Sequence, residues 1–141
     1  MKGIMFAFFA GAFITLQGVA NARISQDIGS WQAATITQLT GFVAAVLIVL
    51  IVKDQKWKEF KKVRPIYLTG GSFAAVVIYG NIYGIHSIGV TLTIAVILIS
   101  QLAITFLIDG KGWFGVLKKE MKLPQFIGIA MMIAGVVILK F

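Results

Sequence analysis

Apolar positions fill five long blocks of this chain, and charged positions fall only between them. The blocks are Gly3–Ala22, Trp31–Val52, Ile66–Ile85, Val90–Ile108 and Pro124–Leu139, and all 18 charged side chains lie outside these limits. The runs are too long and too evenly apolar for barrel strands, which would alternate over roughly 10 residues. As helices, blocks of about 20 residues match a hydrocarbon core about 30 Å thick. A charge at the centre of such a helix costs about 2.5–3.5 kcal/mol on insertion scales, which explains the exclusion. The pattern predicts an all-α integral membrane protein with five transmembrane helices, the last shorter than the rest.

The two longest connections, Lys53–Pro65 and Asp109–Leu123, have 13 and 15 residues, too few for a soluble domain. We therefore read residues 1–141 as a single transmembrane domain. The chain has no Cys, which excludes disulfides, thiolate metal sites and thiol catalysis. One His and five scattered acids assemble neither a metal cluster nor a catalytic pair. An enzyme is the weakest reading, and no cofactor or metal is implied.

The net charge of +8 could suggest nucleic acid, but its placement points elsewhere. With alternating helices, Lys2 and the two long connections share one side of the membrane. That side holds 11 of the basic residues: Lys2, Lys53, Lys56, Lys58, Lys61, Lys62, Arg64, Lys111, Lys118, Lys119 and Lys122. The other side holds Arg23 and Lys140. The positive-inside rule then puts the N-terminus in the cytoplasm and the C-terminus outside, in a multi-pass protein of the inner (cytoplasmic) membrane. Anionic headgroups and topology account for these lysines, so no nucleic-acid partner is expected.

Lys2, the run Ile4–Leu16 and Ala20-Asn21-Ala22 resemble a signal peptide with an A-x-A site. Gln17 falls close to the cleavage region, and removal would leave four helices, so the first span is expected to be retained. Both long connections read as interfacial. Trp113, Leu117 and Met121 are spaced i, i+4, i+8, as in a short amphipathic segment at the headgroups. Trp57 and Phe60 can anchor the first loop. Pro65 and Pro124 stand at span starts, where a missing N–H does no harm.

Polar side chains inside the spans are the candidates for function. Gln17 and Asn21 share a face of the first helix at i, i+4. Trp31, Thr35 and Gln38 form a stripe on the second. Ser72, Val76, Tyr79 and Tyr83 do so on the third, and Gln101, Thr105 and Asp109 on the fourth. The fifth carries no polar side chain between Gln125 and Lys140. This predicts helices one to four around a cavity with helix five at the periphery. The expected substrate-lining set is Gln17, Asn21, Gln38, Tyr79, Tyr83, Gln101 and Thr105. The plain alternative is interhelical hydrogen bonding, which averages about 0.6 kcal/mol. For Tyr79 and Tyr83 it is interfacial anchoring. Asp109 pairs with Lys111 or gates a cation. Gly80 and Gly84 form a G-x-x-x-G, and Gly128 and Gly135 are spaced by seven. These are candidate packing seams, within the chain or in a dimer.

The order and spacing of several short motifs resemble a known family. Gln17…Asn21-Ala22-Arg23, Gly41, Gly70-Gly71, Ile88-Gly89-Val90-Thr91, Ser100-Gln101-Leu102 and Leu107-Ile108-Asp109 are similar to the YdcZ-like family of small five-helix membrane proteins. The stretch Leu123–Ala130 with Ile133–Val137 resembles the last helix of the wider drug/metabolite transporter superfamily. The resemblance covers nearly the whole chain and implies a half-sized transporter repeat. Larger relatives hold two inverted five-helix repeats with the substrate site between them. Small multidrug resistance proteins, by contrast, use a carboxylate in their first helix, where this chain offers Gln17. Proton-for-cation exchange on a buried acid is therefore not expected.

The reading that follows is a transporter half-unit for a small neutral or weakly polar metabolite. Its alternative is a non-transporting accessory subunit, suggested by the glycine seams and the missing coupling acid. Besides membrane lipid, the expected partner is a second five-helix unit. The 11-to-2 charge bias favours an inverted paralogue, or a parallel homodimer joined through helix five, over an antiparallel homodimer.

Overall fold

The computed structural model describes residues 1–53, 63–116, 118 and 122–140. Trp57, Phe60, Leu117 and Met121 lie outside the described residues, as do Lys56, Lys58, Lys61, Lys62 and Lys119. No strand occurs among the described residues. The helices are α1 (Lys2–Ile28), α2 (Ser30–Val52), α3 (Pro65–Leu68), α4 (Gly70–Ile88), α5 (Val90–Lys111) and α6 (Leu123–Lys140). With α3 and α4 taken as one span, five are long and apolar enough to cross a membrane. This is the architecture the five blocks predict.

Helices outrun the apolar blocks where no breaker intervenes. Nothing between Ala22 and Gly29 opposes a helix, and α1 continues to Ile28. Its polar end is steadied by Arg23 and Asp27, an i, i+4 ion pair at 3.0 Å. Gly29 then turns the chain alone, at φ 92° and ψ 157°, a backbone region restricted to glycine. Its N–H donates to the Ser25 carbonyl and its own carbonyl accepts from Ala33, so the corner leaves neither group unpaired. Gly89, which follows α4 and precedes α5 in the chain, takes a similar backbone conformation, at φ 82° and ψ 169°.

His86 lies between the third and fourth apolar blocks, yet it stands in the last turn of α4. The apolar block ends at Ile85, but the backbone stays helical until Gly89. Pro65 opens α3 at its first position, after an extended Arg64. At the start of α6, Gln125 Oε1 accepts from the Lys122 backbone N–H at 2.8 Å, half of a capping box.

The chain forms two compact units, Met1–Ser87 and Ile88–Phe141. In the first, α1 packs against α2, and α4 joins them through side chains. Residue pairs give the directions: Asn21 meets Thr37, Gly18 meets Asn81, and Trp31 meets Tyr79. So α2 runs antiparallel to both α1 and α4. The buried apolar residues of this unit are Ala22, Ala33, Ala34 and Ile82. They lie toward the Gly29 end, where small side chains on α1 and α2 let the backbones close in. In the second unit α5 packs with α6, whose less exposed residues Ile129, Met132, Gly135 and Val136 form one stripe. Most large apolar side chains of both units face outward, which suits lipid and would aggregate in water.

Candidate functional site

Polar groups collect in the first unit on one face of α1. Gly18, Asn21, Ala22 and Ser25, spaced i, i+3, i+4, i+7, are the buried residues of that helix. Asn21 is 4% exposed, and its Oδ1 accepts from the Thr37 hydroxyl on α2. One turn before it, Gly18 clears room for Asn81 of α4. A Cβ at Gly18 would stand 3.0 Å from Asn81 Oδ1. Asn81 is 9% exposed, and that oxygen has no hydrogen-bond partner. An unpaired buried polar group costs about 1–3 kcal/mol, so this carboxamide is an acceptor awaiting a donor.

Asn81 was overlooked in the sequence. It sits inside Gly80-Asn81-Ile82-Tyr83-Gly84, where the glycines attract attention as a packing motif. The usable signal was an amide one residue from a glycine in an otherwise apolar helix.

Gln38 and Tyr79 approach the same unit from α2 and α4. Gln38 Nε2 donates to the Gly71 carbonyl at 3.3 Å, close to the break between α3 and α4. Tyr79 stacks on Trp31 with ring centroids 4.5 Å apart and planes 18° from parallel. Gln17 and Tyr83 are exposed, Tyr83 at 66%. Thus Gln17 and Asn21 share a helical stripe, yet only Asn21 reaches the packed interior.

The second unit holds Gln101, Thr105 and Asp109. Gln101 and Thr105 are exposed, and the Thr105 hydroxyl donates back to the Gln101 carbonyl at 2.8 Å. Asp109 is half-buried. The Lys111 ammonium is turned to Trp113, 4.8 Å from the ring centroid, rather than to Asp109. Of the four glycines expected in packing seams, none of Gly80, Gly128 and Gly135 has an atom within 4 Å of where a Cβ would stand. Gly84 is half-buried. The close approach in the first unit falls to Gly18 instead.

Among the described residues no group of three or more His, Cys, Asp or Glu could hold a metal ion. What Asn21, Thr37 and Asn81 offer is neutral chemistry: amide and hydroxyl donors and acceptors.

Five helices long and apolar enough to cross a membrane, with buried neutral amides between those of the first unit, define a polytopic α-helical membrane protein. The chain belongs to the YdcZ-like family of the drug/metabolite transporter superfamily: the family model described as "Putative inner membrane exporter, YdcZ" matches residues 3–138. No curated protein and no solved structure gives a significant match. The family places the chain in the class of small-molecule transport of the drug/metabolite transporter type.

Proposed function

We propose that this chain is a transporter half-unit that moves a small neutral or weakly polar metabolite across the inner membrane. The pathway forms where two five-helix units meet, with an inverted paralogue or a second copy supplying the other half. The observation that carries this reading is the unpartnered Asn81 carboxamide oxygen against Gly18, one turn from the Asn21–Thr37 pair on α1, in spans whose apolar blocks contain no charge. Neutral amides desolvate a hydroxyl- or amide-bearing solute without the penalty of burying a charge. Gln17 and Tyr83 in the first compact unit, and Gln101 and Thr105 in the second, are exposed and suit contact with a second five-helix chain.

The test is flux from purified protein in liposomes against cations, anions and neutral metabolites. We expect flux of a neutral solute, lost in Asn81→Leu and reduced in Gln17→Leu and Gln101→Leu, with helicity unchanged by circular dichroism. Full flux in Asn81→Leu would remove this site. No flux, together with a stoichiometric partner on pull-down from native membranes, would favour the accessory-subunit reading.

A further inference from the structure

The hydroxyls on the packed faces of the first unit are already committed. Thr37 donates to Asn21 Oδ1, and Ser25 donates to the Ala22 carbonyl at 2.8 Å. Asn81 Oδ1 is what remains: among the described residues it is the one buried side-chain polar atom with no partner. The vacancy has a sign. An amide oxygen only accepts, so only an N–H or O–H group satisfies it.

The seam between α1 and α4 that holds Asn81 opens one turn further on. Ala22 and Ile85 stand four residues beyond Gly18 and Asn81, on the same helical faces. Both line an open cleft of about 470 Å³, with Val19, Arg23, Gln26 and His86 around it. That volume falls in the range of small-molecule sites, about 300–1,000 Å³. Val19, Ala22 and Ile85 make its apolar part. The Arg23 charge is offset by Asp27 at 3.0 Å, so the rim suits a neutral molecule.

We propose that Asn81 Oδ1 selects solutes that carry an N–H or O–H donor, with the α1–α4 cleft holding the rest of the molecule. The inference deepens the transporter reading above and rests on it for the presence of a solute. The oxygen is shut off from solvent in the state described, so a donor reaches it as the seam parts at the inner end of the cleft. Pairing then satisfies a buried acceptor, which an acceptor-only molecule of the same shape cannot do. The preference for a donor over its acceptor-only isostere should be about fivefold or more.

Asparagine occurs only at positions 21 and 81, so a carbon-13 label at the asparagine carboxamide gives two signals. Asn21→Ser or Asn81→Leu, whichever folds, assigns them. The parent protein in lipid nanodiscs is titrated with propionamide and with 2-butanone, which has nearly the same shape and no donor. Before addition, NMR should show a hydrogen-bonded carbonyl at Asn21 and a free one at Asn81. Propionamide should move the Asn81 signal toward the bonded position and leave Asn21 in place. 2-Butanone should not move it, and should displace propionamide only at about fivefold higher concentration or more. An Asn81 carbonyl already bonded before addition, no shift with propionamide, or an equal shift with 2-butanone overturns the inference. If vesicles pass no neutral solute, the transporter reading fails, and the carbonyl shift still decides whether Asn81 takes a donor.

Discussion

At the scale of single residues, Gly18 and Asn81 form the most constrained contact of the first unit. A methyl at Gly18 would stand 3.0 Å from Asn81 Oδ1, so the carboxamide must shift, and Gly18→Ala should cost about 1–3 kcal/mol. Thermal unfolding in detergent measures it. Combining Gly18→Ala with Asn81→Ala should relieve most of the loss, because the two changes act on one contact. Simple addition of the two costs would show that the glycine matters for another reason. Asn21 could be picked from sequence because an amide in an apolar run stands out and has Gln17 one turn away. The need for Gly18 could not, because its reason is a side chain on another helix. The burial of Asn21 and the exposure of Gln17 were equally hidden, since helical spacing shows which residues share a stripe but not where packing begins along it.

Helices were legible to the extent that lipid acts on every residue. Exclusion of charge marks the apolar length of each span, and the five blocks follow from that alone. Their ends were not legible in the same way. Arg23 to Ile28 look like a polar connection but continue α1, because an i, i+4 ion pair costs a helix nothing at the membrane surface. His86 likewise lies past Ile85, the last residue of its apolar block, yet stays helical. What ends these helices is glycine in a conformation other residues resist. Gly29→Ala should therefore destabilise by about 1–3 kcal/mol from backbone strain. Its new Cβ also comes within 2.6 Å of Gln32 Oε1, although that flexible side chain can move. Gly11→Ala, in open space within α1, is the control and should cause no loss. Equal effects in the same unfolding assay would rule out the strained corner as the cause.

For the whole molecule, the questions are which way it lies and what it meets. The charge bias predicts the Gly29 corner on the outside and Lys122 in the cytoplasm. The absence of native cysteine makes labelling direct: Gln26→Cys should react with an impermeant maleimide from outside only, and Lys122→Cys from inside only. Labelling of each position from both sides would mean dual insertion and would restore the antiparallel homodimer. The corner itself bears on how the protein is made. At Gly29 the chain reverses through one residue whose backbone groups are already paired. Very little unpaired main chain then has to be carried across the bilayer between α1 and α2. The two helices can enter lipid together as one folded-back insertion unit.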